Sequence, residues 1–120
     1  MERNRLGDLA EHYAITWLWD QGFEVFRNSG CTGPVDLIAM DKDGTIILID
    51  VKSGNYDESQ VRVSSRGMTD QQKELGVVQV FFNYTDRSLK FVDHKHETTY
   101  SRYRDKQHPQ LDLVSCDTGC

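Results

Sequence analysis

Near the start of the chain the apolar positions Leu6, Leu9, Ala10, Tyr13, Ala14, Trp17 and Leu18 recur at intervals of three and four. That spacing draws one stripe along an α-helix, and Gly22 supplies a residue suited to ending it. After Gly22 the period changes: Phe23 to Arg27 alternates as a short strand, and Asn28-Ser29-Gly30-Cys31-Thr32-Gly33-Pro34 is a loop of small residues, of the kind that flexibility or a close approach demands. Val35 to Met40 and Thr45 to Val51 are apolar runs rich in β-branched residues. Between them lies Asp41-Lys42-Asp43-Gly44, whose last residue suits a three-residue hairpin loop with a left-handed position.

A loop at 42–44 sets a register in which Asp41 faces Thr45, Met40 faces Ile46, Ile38 faces Leu48 and Asp36 faces Asp50. Met40, Ile38, Ile46 and Leu48 then share one side, and Leu37, Ala39, Ile47 and Ile49 the other. Both sides are expected to be covered, as in a sheet between helices. In that apolar setting two facing carboxylates stand out.

Residues 53–67 are polar and read as a long loop. Thr69 caps a short helix through Asp70-Gln71-Gln72-Lys73-Glu74-Leu75, which Gly76 ends. Val77 to Tyr84 is a further strand, Thr85-Asp86-Arg87-Ser88 a turn, and Leu89 to Val92 a last short strand. From residue 93 to Cys120 there is no clear period. The expected organisation is one α/β domain over 1–120, with its core at about residues 5–92 and a C-terminal extension at 93–120.

Charge complicates the picture before chemistry clarifies it. The net charge is −5, yet residues 1–60 hold eleven acids against five bases, and residues 61–120 hold eight acids against nine bases. Early acids suit a divalent cation and later bases suit phosphate. Cys31, Cys116 and Cys120 cannot all pair within the chain, which points to a reducing compartment, the cytoplasm. The spacing of Cys116 and Cys120, with His94, His96 and His108 upstream, permits zinc, but ordinary thiols are the expectation and no zinc is assigned. No apolar run spans a membrane, and no secretory signal is expected. Trp17 belongs to the helix stripe, whereas Trp19, Tyr56, Tyr100 and Tyr103 are candidates for base stacking or a dimer interface.

Directly opposed strand residues hold their Cβ atoms about 4.5–5.5 Å apart, so Asp36 and Asp50 are close enough to share a cation. Lys52 follows Asp50 by two and lies on the same side of its strand. Like charges that close repel unless a proton or a metal intervenes. Oxygen-only ligands favour Mg²⁺, with Mn²⁺ as a substitute, over zinc. Two acids, a hard cation and an ammonium make up the composition of a phosphodiester hydrolase. No small organic cofactor is expected.

Asp36, the thirteen residues that follow it, and Asp50-Val51-Lys52 resemble the PD-(D/E)XK nuclease signature, with Pro34 two positions before the first acid. Gly7-Asp8-Leu9-Ala10-Glu11, Gly22-Phe23-Glu24-Val25-Phe26-Arg27 and Val35-Asp36-Leu37-Ile38-Ala39 are similar to the archaeal Holliday junction resolvase branch. The virus-type replication-repair group is the second choice. This resemblance implies a restriction-endonuclease-like mixed β-sheet flanked by helices, a divalent metal and a homodimer acting on DNA. It implies metal ligands at Asp36, Asp50, Glu11 and the Val51 carbonyl, with Lys52 and Gln72 completing the catalytic set and Gln71 the fallback. Arg27, Ser29, Ser53, Arg62, Arg66 and Lys73 are the expected DNA contacts. Structure-selective cleavage of branched or junction DNA is the expected function. The alternative is a non-catalytic nucleic-acid-binding or assembly module on the same fold, motivated by the acidic charge and by His12, which stands where the resolvases carry an arginine.

Overall fold

The computed structural model describes residues 3–30, 32–55 and 67–107. Tyr56, Arg62, Arg66, Cys31, His108, Cys116 and Cys120 lie outside the described residues. The N-terminal stripe becomes α1 (Arg3–Asp20), which ends before Gly22 at φ 101°. Ala10, Ala14 and Leu18 are its buried positions, Leu6, Leu9 and Trp17 are half-buried, and Trp19 is exposed. No described helix is long and apolar enough to cross a membrane.

The strands are β1 (Glu24–Arg27), β2 (Leu37–Met40), β3 (Ile46–Gly54), β4 (Val78–Asn83) and β5 (Ser88–Phe91). They form one five-stranded mixed sheet in chain order, flanked by helices, antiparallel throughout except where β3 and β4 run parallel. From Met40–Ile46 to Leu37–Ile49 the hairpin register is the one its loop predicts, but the expected Asp36–Asp50 pair lies beyond that ladder, the Asp36 N–H donating to the Ile49 carbonyl. Gly44 is left-handed at φ 88°, and the Asp41 N–H donates to the Thr45 carbonyl at 2.9 Å.

One side of the sheet holds the core. Leu37, Ala39, Ile47, Ile49, Val78 and Val80 are buried together with Ala14 and Leu18 of α1. The other side departs from expectation, because it is only partly covered. Ile38, Met40 and Leu48 are half-buried, while Ile46 is 44% exposed and Phe26 51%. Alternation in a strand fixes which residues share a side but says nothing about whether a helix arrives to cover them.

The C-terminal stretch also differs. The region read as without period contains α3 (Thr99–Gln107). Its apolar contacts come from Tyr100, stacked on Phe91 with ring centroids 3.8 Å apart, and Tyr103, 5.5 Å from Phe23. Two aromatic residues one turn apart make no long stripe, so the helix is invisible to periodicity. The legible signal was the pair of hydroxyls at its start. The Thr98 N–H donates to Ser101 Oγ at 2.8 Å and the Ser101 N–H to Thr98 Oγ1 at 2.9 Å.

Between β3 and β4, α2 (Asp70–Leu75) starts with the cap that Thr69 predicts and ends at Gly76, φ 80°. The Gly76 carbonyl accepts from the Thr99 N–H at 2.6 Å, joining α2 to α3, and a Cβ at Gly76 would meet the Thr99 nitrogen at 3.2 Å. A Cβ at Gly22 would meet nothing within 4 Å. Both positions are left-handed, so each alanine variant suffers about 1 kcal/mol of conformational strain. Gly76→Ala is therefore expected to lose clearly more stability in urea unfolding than Gly22→Ala; equal losses would mean that the α2–α3 contact yields freely.

Candidate active site

Asp36 stands one residue before β2, where the regular ladder gives out. Its backbone N–H donates to the Ile49 carbonyl at 2.8 Å, and its carbonyl accepts from the Asn28 N–H at 2.9 Å. Its carboxylate takes the place of a strand carbonyl, with Oδ2 accepting from the Val51 N–H at 2.8 Å. Asn28 ties described residues of the small-residue loop before it. Asn28 Nδ2 donates to the carbonyls of Thr32 and Val35, and Asn28 Oδ1 accepts from the Gly30 N–H. Asn28 was not singled out from the sequence, although an Asx residue heading a Gly-rich loop is a turn signal. A groove of about 250 Å³, walled by Phe26, Arg27, Asn28, Val35 and Ile38, opens beside Asp36.

Asp50 follows the buried run of β3 and is itself buried, while Lys52 is exposed. Lys52 Nζ lies 3.6 Å from Asp50 Oδ2. Burial pushes the Asp50 carboxyl up from 3.8 to about 6. The Lys52 charge pulls it down, and the charge and hydrogen bond of Asp36 push it up again. Asp36 therefore acts on Asp50 both as a charge and as a hydrogen-bond partner. Gln79 on β4, in parallel register with Asp50, donates from Nε2 to Asp50 Oδ2 at 3.5 Å, and the Gln79 N–H donates to His94 Nε2 at 3.1 Å. Burial, with the neighbouring His96 charge adding to it, holds the His94 imidazole below its ordinary value, against the pull of Asp93. A neutral imidazole is the form that accepts at Nε2.

The donor set suits a hard divalent cation. Asp36 and Asp50 offer carboxylate oxygens, and their mutual repulsion is the condition that a cation relieves. Among the described residues no group of three His, Cys, Asp or Glu side chains gathers for a metal. Glu11 is instead engaged by Arg27, at 3.1 Å from Oε1 to Nε. Gln72 is buried and turned to its own surroundings: Oε1 accepts from the Thr69 N–H at 2.9 Å, and Nε2 donates to the Pro34 carbonyl at 2.9 Å. It braces the loop leading into Asp36. Gln71, Ser29, Ser53 and Lys73 are exposed, with Ser53 on the opposite side of β3 from Lys52.

A carboxyl whose folded value is raised favours the folded state most when protonated, and that advantage fades as pH rises from 3.8 to about 6. Asp50→Asn removes the cost of ionising a buried acid. Relative to the parent, this variant is expected to gain about 1–2 kcal/mol of unfolding free energy at neutral pH, after allowance for solvent screening and the lost Lys52 contact. The gain should vanish below pH 4, and a constant difference across pH would show that Asp50 ionises without penalty.

No curated protein matches the sequence significantly. The fold is similar to that of a bacterial homing endonuclease, I-Ssp6803I, at a TM-score of 0.54 and 17% identity, over 98% of this chain and 97% of that one. At that identity the likeness speaks of fold alone. A family model for PD-(D/E)XK endonucleases matches residues 1–106. The matched span runs from α1 almost to the end of α3 and takes in Asp36, Asp50 and Lys52, and by that match the chain belongs to the PD-(D/E)XK endonuclease family.

Proposed function

We propose that the chain is a divalent-metal-dependent DNA endonuclease that prefers branched or junction DNA and works as a homodimer. The observation that carries the reading is the convergence of Asp36, Asp50 and Lys52 at one end of the sheet, with Asp36 fixed by the Val51 amide. Asp36 and Asp50 would hold Mg²⁺ or Mn²⁺, with the Val51 carbonyl as a further oxygen and Glu11 available only if it leaves Arg27. When bound, such an ion makes water a stronger acid and neutralises charge gathering on phosphate oxygens. Lys52 presents an exposed ammonium beside Asp50, placed to orient a water or to stabilise the developing negative charge. Gln72 acts as a positioning residue through Pro34, and Gln79 through Asp50. Arg27, Ser29, Ser53 and Lys73 are proposed to meet the DNA backbone, and the products carry 5′-phosphates.

Two sites are needed to cut both strands of a junction in concert, and a two-fold dimer supplies them with the fewest parts. The sequence carries nothing that resembles a base-reading helix, which favours recognition by shape. A cytoplasmic setting accords with cysteines that cannot all pair within the chain.

The test is a panel of labelled four-way, flapped, nicked and linear DNAs with Mg²⁺ or Mn²⁺, run beside a mass measurement in solution. Branched substrates are expected to be cut fastest, by a species of twice the monomer mass. Asp36→Asn, which keeps an acceptor for the Val51 N–H, and Asp50→Asn should each slow cleavage on the order of 10²–10³-fold or more, and Lys52→Ala should do likewise. Absence of cutting on every DNA would overturn catalysis and, if Mn²⁺ still binds, favour a non-catalytic DNA-binding or assembly module. Full activity from a monomer, or preference for one linear sequence, would overturn the assembly and substrate assignments alone.

A further inference from the structure

The turn between β4 and β5 holds Arg87 in the left-handed region at φ 66°, the one non-glycine residue there among the described residues. A side chain in that conformation costs about 1–2 kcal/mol relative to glycine. Short loops between antiparallel strands ordinarily place glycine or asparagine at such a corner. Strain of this kind persists where the surroundings over-determine it, and an observed outlier is the legitimate starting point for a functional hypothesis.

Those surroundings are specific. The Arg87 N–H donates to the Asn83 carbonyl at 2.7 Å, and the Arg87 guanidinium lies 5.5 Å over the Tyr13 ring, which in turn packs 4.8 Å from Phe82. The cation is therefore held on an aromatic shelf joining α1 to β4. Arg87 is exposed. Arg27, Arg102 and Arg104 each face a carboxylate, whereas Arg87 makes no such pair among the described residues. The adjacent acid, Asp86, is turned away, its Oδ1 accepting from the Ser88 N–H at 3.0 Å.

The turn also sits at the reacting end of the sheet. β4 runs parallel to β3, so its C-terminal end lies beside Gly54, two residues past Lys52. The Tyr84 N–H donates to the Gly54 carbonyl at 3.0 Å, and Thr85 Oγ1 bonds to Asn55 Oδ1. Tyr13 and Phe82 lie on the α1 side of the sheet with Val78 and Val80, whereas Asp50 and Lys52 alternate to the other side, so Arg87 stands across the end of the sheet from the acids. We propose that Arg87 is a pre-ordered phosphate clamp, gripping the backbone of a DNA that wraps the end of the sheet between the α1 side and the side of Asp50 and Lys52. This rests on the endonuclease reading, since it requires DNA to cross that end of the sheet.

The prediction separates function from stability, because the residue that serves binding is the wrong one for the backbone. In EDTA, which prevents cleavage, binding of labelled duplex and four-way DNA is measured by anisotropy from about 50 to about 200 mM salt. Arg87→Gly is expected to weaken binding about five- to tenfold and to lower the steepness of the log–log salt plot by about 0.9. Its melting temperature should stay level or rise. Arg87→Lys should keep the parent salt slope. An Arg87→Gly variant with parent affinity and slope, or one whose binding falls only together with its melting temperature, overturns the clamp and leaves the endonuclease reading intact. A parent protein that binds neither DNA at low salt overturns both.

Discussion

The Asp36 carboxylate accepting the Val51 N–H is the contact on which the geometry of this protein turns. A backbone amide inside a sheet must find an acceptor, and a hydrogen bond to a charged group contributes about 1.5–3 kcal/mol. Here the acceptor is an acid whose own backbone is fastened to Ile49 on one side and Asn28 on the other. Asp36 is therefore held by its backbone bonds to Ile49 and Asn28 and by the Val51 amide on its carboxylate. Lys52 inherits that order because it lies one alternation past Asp50 on the strand of Val51.

The price of bringing two acids together is visible in Asp50, raised by burial and by its neighbour. Gln79 and Lys52 offset part of this from β4 and from solvent. The proposed cation would relieve that repulsion, since an opposite charge close to a carboxylate favours its ionised form.

Local pattern and non-local geometry divided what could be read in advance. The β2–β3 register was legible because Gly44 admits one loop conformation and the loop then dictates every pair up to Leu37 and Ile49. The helix cap at Thr69 was legible for the same reason: all its partners lie within one turn. Gln79 was not, because its place beside Asp50 comes from a parallel pairing between strands that are distant in sequence. Nor was the duty of Gln72, whose spacing from Thr69 is apparent but whose bond to Pro34 joins α2 to a distant loop. Glu11 falls on the helix that the apolar stripe predicts, and only the folded chain reveals that Arg27 pairs with it.

Strand order in this sheet repeats chain order, and that has a bearing on how the molecule assembles. Closing β2 onto β3 needs only the short loop at 41–45, whereas joining β3 to β4 must close the far longer stretch that contains α2. Loop-closure entropy grows with length, and distant parallel pairings form slowly. Asp36 and Asp50 both belong to the local hairpin, while Gln79 and the Arg87 corner belong to the far side of the crossover. During folding, the acids are expected to meet before the residues that surround them arrive, so the carboxylate pair is an early local product and its environment a late global one.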